Sequence, residues 1–161
     1  MTGTSKFKAI RIELAATSRS DFPVEQVFPL LCPAREFDWI PHWDCRLIYS
    51  QSGIAELGCV FTTEFEKDHA LDTWVISEFL PNRKIQFIRI NEFRSIKYDL
   101  NIQSNDGFTE ILWSQQITAL NEQGNVLVKS ITQADFDEQI TKVEKLLNYY
   151  LAHGKAMLSE S

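Results

Sequence analysis

The chain has 161 residues, 44% of them hydrophobic and 12% aromatic, with a formal net charge of −6. That length fits a single domain over 1–161 with a sizeable core, and the apolar content argues against disorder. Its acidic balance, with Lys and Arg scattered, leaves no basic surface for phosphate contacts, so nucleic acid is excluded as a partner.

Apolar runs are only a few residues long, so no integral membrane segment is expected. The opening MTGTSKFKAI lacks the apolar core of a secretory signal, which points to a cytoplasmic protein. Residues 8–16 alternate through Ile10, Ile12 and Leu14, the period of a half-buried strand. Ser20 or Asp21 then caps a helix, with Pro23 in its first turn and Val24, Val27, Phe28 and Leu31 facing inward. Pro29 and Pro33 break it, so two helical pieces with a bend are expected, the second running through Arg35, Glu36 and Phe37 to Pro41. Six strands follow, at 46–51, 58–65, 71–79, 84–90, 95–103 and 108–120, with turn signals at Ser52 and Gly53, Pro81 and Asn82, and Asn105 to Gly107.

The clearest dry face is Ile96, Tyr98, Leu100 and Ile102. Cys59, Phe61, Thr63 and Phe65 make another, and Ile111, Trp113 and Ile117 a third that Gln115 interrupts. In strand 84–90 both faces carry apolar residues; its inward side stays undecided, and Arg89 is expected in solvent or in a surface ion pair. Residues 121–125 read as a turn, and 126–131 extend the sheet or lead into the last element. That element, 135–158, is a long amphipathic helix with Phe136, Ile140, Val143, Leu147, Tyr150, Leu151, Gly154 and Met157 on one stripe and a capping box from Asp135 and Glu138. A sheet with one apolar face needs such a cover.

A strand, a broken helix pair, strands in hairpin order and a long C-terminal helix resemble the helix-grip fold of the SRPBCC superfamily: START lipid-transfer domains, birch-pollen-allergen-like proteins and polyketide cyclases. The segments CPAREFDWIPHWDC (32–45), GCVFTT (58–63) and LNYYLAHGKAML (147–158) look like a bacterial branch of it. The expected class is therefore α+β, a curved antiparallel sheet of about seven strands gripping the last helix.

The resemblance implies an elongated apolar cavity between sheet and helix. Alternation would line it with Phe61, Phe65, Trp74, Tyr98, Leu100, Trp113, Leu147, Tyr150 and Leu151, with Gln115 as a polar group and Trp39 at the entrance. The other reading packs these residues against one another as core, and buried Tyr98 and Tyr150 would then need partners for their hydroxyls.

The entrance segment 32–45 gathers the most reactive side chains. Either His42 acts there as acid, base or donor with Trp39 and Trp43 as a gate, or the two rings seal the open end while Arg35 pairs with a carboxylate and His42 lies exposed. A hairpin tip at Ser52 and Gly53 would bring Cys59 near Cys45, and with Cys32 and His42 this invites a metal. The spacing matches no zinc module, so neither metal nor cofactor is expected; reduced, buried thiols are the plainer reading, with a Cys45 to Cys59 bridge as the other. No phosphate loop, HExxH, Gly-x-Ser-x-Gly or CxxC is present. Two functions stand: binding or transport of a hydrophobic small molecule or lipid, and a cyclase- or dehydratase-like enzyme acting on a hydrophobic or aromatic substrate. No surface patch nominates a protein partner.

Overall fold

In the computed structural model, which describes residues 6–68 and 70–157, the strands are β1 Arg11–Ser20, β2 Cys45–Tyr49, β3 Val60–Thr63, β4 Asp72–Leu80, β5 Lys84–Ile90, β6 Arg94–Asn105 and β7 Phe108–Ala119. They form one antiparallel sheet in the order β1-β7-β6-β5-β4-β3-β2. From β2 to β7 each strand pairs with the next, and β1 closes the far edge. Register shifts in β2, between Leu47 and Tyr49, and in β4, between Ile76 and Glu78, bend the ladder as bulges do.

Between β1 and β2 the prolines divide the chain as expected. α1 (Val24–Val27) runs into a 3-10 turn (Phe28–Leu31) and then α2 (Pro33–Glu36), with Val27, Leu30 and Leu31 in the core. After β7 come α3 (Glu122–Lys129) and the long α4 (Gln133–His153). α4 lies against β1 and is laced to its backbone. Gln133 Nε2 donates to the Ala15 carbonyl at 2.8 Å, Asn148 Nδ2 to the Arg19 carbonyl at 2.9 Å, and Arg19 N–H donates to Glu144 at 2.6 Å. The edge strand is thereby covered, which removes a site for unwanted strand pairing. Among the described residues no helix is long and apolar enough to cross a membrane.

Four local expectations are corrected. Ser20 does not cap a helix: it is 2% exposed and pairs with Thr109 at the end of a longer β1, so ladder pairing outweighs capping. Asp21 does not cap it either, since the cap position falls to Pro23 with no side-chain bond. Residues 121–131 hold neither turn nor strand but α3, capped by Asn121, whose Oδ1 accepts from Gly124 N–H at 2.7 Å. Gly124 hides this helix in the sequence; it is required because any Cβ there would collide with the Phe93 carbonyl. α4 begins at a Thr132 cap, and its capping box pairs Thr132 with Asp135 in place of Asp135 with Glu138. It ends at His153, where Gly154 turns left-handed at φ 72°. The expected end at Leu158 lies outside the described residues.

Candidate functional site

Beneath α4, the concave face of the sheet leaves an open cavity of about 250 Å³. Its wall is a run of rings supplied by consecutive strands. Phe61 of β3 stacks on Trp74 of β4 at 5.1 Å, Phe87 of β5 meets Trp74 edge-on at 5.5 Å, and Tyr98 of β6 follows at 6.4 Å and Trp113 of β7 at 6.2 Å more. Strand alternation puts these residues on one face, and the register sets them side by side: Phe61 opposite Trp74, Phe87 opposite Tyr98, Leu100 opposite Trp113. The buried indole donors are already satisfied: Trp74 Nε1 donates to Thr63 and Trp113 Nε1 to Ser18, each at 2.8 Å. What the wall offers a guest is ring surface.

Phe61, Phe65, Trp74, Tyr98, Leu100 and Trp113 all line this space, as does His42 at its rim. The other expected lining residues do not. Trp39 is wholly buried, its Nε1 donating to the Leu30 carbonyl at 2.7 Å, so it closes the core behind the entrance; Trp43, pinned to the Pro33 carbonyl at 3.0 Å and 5.6 Å from Phe65, is the indole that faces the opening. Leu147 is buried in the core at 1% exposure, while Tyr150 and Leu151 sit half-buried at its margin. Arg35 pairs with Asp38 at 2.9 Å. Gln115 is buried opposite Tyr98 in the ladder, and burial makes the Tyr98 hydroxyl a weaker acid than usual. α4 is rotated from the expected phase, so Gln139, Lys142, Val143 and Leu146 line the cavity. They form their own i, i+3, i+4, i+7 set, the one signal that could have found them.

Arg89 points inward, contrary to expectation. It is 6% exposed, its guanidinium lies 4.1 Å over the Trp74 ring, and it joins Arg94, Asp68 and Asp72 in a buried cluster. Arg89 donates to Asp72 from Nε at 2.9 Å and also from Nη2, which reaches Asp68 at 2.8 Å as well. Arg94 donates to both Asp72 oxygens at 2.7 and 2.9 Å and to Asp68 at 3.3 Å. Burial alone would raise the Asp72 pKa, but hydrogen bonds and charge from Arg94 and Arg89 hold it below the ordinary 3.8.

Glu36, at the end of α2, belongs to the reactive segment 32–45, but nothing in the sequence pattern gives it a role. Its carboxyl lines the apolar cavity, meets no hydrogen-bond donor among the described residues, and is pushed well above the ordinary 4.5 by burial. His42 beside it has left-handed backbone at φ 61°, a conformation uncommon outside glycine. The three cysteines are free. Antiparallel register sets Cys45 opposite Thr63 and Val60 opposite Tyr49, so Cys59 lies at the other end of that ladder from Cys45, contrary to the expected closeness. Burial first, then nearby Glu36, pushes the Cys45 thiol up to about 12, so it is no nucleophile at neutral pH. Among the described residues no group of three or more His, Cys, Asp or Glu could hold a metal ion.

Glu36 gives stability a pH signature. Its folded pKa is raised, so the unfolded chain releases the proton first, and stability falls as pH rises from about 4.5 through the folded value. Glu36→Gln should therefore be more stable than the parent above that window and equal to it below. Urea denaturation across pH 4 to 8 measures this, and parallel profiles would show that Glu36 is well solvated.

No family model matches the chain, and no curated protein matches it by sequence. Solved structures do. Norcoclaurine synthase from Thalictrum flavum, in complex with dopamine and hydroxybenzaldehyde, matches with TM-score 0.64 at 10% identity over 90% of this chain and 89% of its own. The Zhui aromatase/cyclase from Streptomyces sp. R1128 matches with TM-score 0.64 at 10% identity over 93% and 100%. DynU16, from the dynemicin biosynthetic locus, matches with TM-score 0.61 at 14% identity over 89% of this chain but 48% of its own, so the chain spans about half of that protein's length. With its bent seven-stranded antiparallel sheet, broken helix pair and long C-terminal helix, the chain has the helix-grip fold that these solved structures share.

Proposed function

We propose that the protein binds a compact hydrophobic or aromatic small molecule in the cavity beneath α4. The ring wall from Phe61 to Trp113 carries this reading: it lies beside open space, and its buried indole donors are already occupied. A structure of the same fold holding dopamine and hydroxybenzaldehyde supports it. At about 250 Å³ the cavity lies just below the roughly 300–1,000 Å³ of drug-sized sites, which favours a body of one or two rings over a lipid chain.

The neutral dye N-phenyl-1-naphthylamine should bind with about one equivalent and quench tryptophan fluorescence. Leu100 is 3% exposed on the cavity floor opposite Trp113, so Leu100→Trp should fill the space and block the dye while leaving a cooperative unfolding transition. Unaltered dye binding in that variant would remove Leu100 from the wall, and no binding to the parent chain would end the cavity reading.

One observation favours a second reading, a cyclase- or dehydratase-like enzyme. Glu36 is an unpaired carboxyl with a raised pKa in an apolar cleft, the state in which a carboxyl serves as general acid or base near neutral pH. Native mass spectrometry of the purified protein would identify a retained ligand. If that ligand is converted on incubation, Glu36→Gln should slow the conversion by about 10² to 10⁴-fold. A fully retained rate would return Glu36 to a binding role.

A further inference from the structure

The rim of the cavity is cationic in a chain that is acidic as a whole. Lys67, from the 3-10 turn Glu66–Asp68, and Lys142, from α4, both line it, with Arg89 behind them and the Gln139 amide between elements. Past them opens a second, more polar recess of about 170 Å³ that shares Lys67, Arg89 and Gln139 with the first and also meets Arg94, Asp68 and Asp135.

The carboxylates there are already engaged. Both oxygens of Asp72 and both of Asp68 accept from Arg89 and Arg94, and Asp135 closes the capping box of α4 with Thr132. Neither Lys67 nor Lys142 forms an ion pair among the described residues. Both lysines keep solvent contact, and partial desolvation at the rim, with Arg89, Lys142 and Arg94 acting against Asp68, holds Lys67 below the ordinary Lys pKa. Two ammonium groups thus share a rim where, among the described side chains, no carboxylate pairs with either of them. Their mutual repulsion would be relieved by an anion arriving from solvent.

Resting on the small-molecule reading above, we propose that the ligand is an aromatic carboxylate whose anionic head is held by Lys67 and Lys142 while its ring body lies against Trp74 and Phe61. The acidic Glu36, which lines the same cavity, does not oppose such a guest, because burial favours its neutral form. A neutral carboxyl in the interior and two cations at the rim then fix which end of the guest enters first.

The test uses 2-naphthoate and its neutral isostere 2-naphthamide, titrated calorimetrically into the full chain and into the double variant Lys67→Met, Lys142→Met. The parent chain should bind the acid about tenfold more tightly than the amide, an advantage that shrinks with added salt. In the double variant the acid should bind no more tightly than the amide. Equal affinities in the parent, or a preference that persists in the double variant, would overturn the carboxylate subsite while leaving the apolar cavity standing. Binding of neither compound would overturn the cavity reading and this inference together.

Discussion

Asp72→Ala is expected to destabilise the protein by about 3 to 5 kcal/mol, the usual cost of breaking a buried ion pair by removing one partner. Asp72 is wholly buried and takes hydrogen bonds from both Arg89 and Arg94, each 6% exposed. Without it, two guanidinium groups would be left with Asp68 alone. The cost reflects uncompensated charge more than the worth of the original contacts, because burying the cluster already carried a heavy desolvation penalty. Equilibrium urea denaturation measures it, and a loss below about 1 kcal/mol would mean that water reaches the cluster freely.

The same residue sets an acid limit. The folded pKa of Asp72 is depressed, so its contribution is fully present above the ordinary 3.8 and is lost as pH falls through the folded value. Asp72→Asn should flatten that acid limb of the stability profile, and an unchanged limb would assign acid unfolding to other carboxylates.

Leu147→Ala is expected to cost about 2 to 5 kcal/mol, nearer the upper figure, because Leu147 is 1% exposed and the space it leaves has no outlet. Its neighbour offers the contrast. Leu146 is 8% exposed and faces the cavity, so truncation there enlarges a space that already exists. Leu146→Ala should therefore cost less while altering affinity for an apolar ligand. Matched thermal melts and dye titrations separate the two effects. If Leu147→Ala changed ligand affinity and Leu146→Ala did not, the rotation of α4 described above would be wrong.

That rotation marks where sequence patterning stops being informative. The 3.6-residue period of α4 identifies the helix and the core members of its stripe, Phe136, Ile140 and Leu147. It cannot say which flank of the stripe meets solid core and which meets empty space. Two overlapping stripes share Val143, and the lacing of α4 to β1 by Gln133, Glu144 and Asn148 chooses between them. Period alone points Tyr150 and Leu151 at the cavity, and the docking of α4 places them at the core's margin.

Strands follow the same division. Where one face alternates cleanly, as in Ile96, Tyr98, Leu100 and Ile102, the side that turns inward is legible, because a slip of one residue would expose every apolar side chain. In β5 both parities are apolar, and local pattern is silent. Arg89 turns in because Asp72, on the neighbouring strand, and Asp68, in the turn before it, meet its charge there, and Trp74 lies opposite it in the ladder to take the guanidinium on its ring. Those partners are distant in sequence.

The bend at the prolines, the strand count and the inward faces carrying the six wall residues from Phe61 to Trp113 were thus determined by the sequence alone, through periods and backbone limits that act over a few residues, while the fold class is what the resemblance of the whole pattern implies. Tertiary structure decided the rest: the burial of Arg89 and Asp72, the unpaired carboxyl of Glu36, the lysine rim and the exclusion of Trp39 from the cavity. Each of these depends on long-range desolvation and charge pairing. Such energies are set by what lies across the fold, and no local pattern in the chain encodes them.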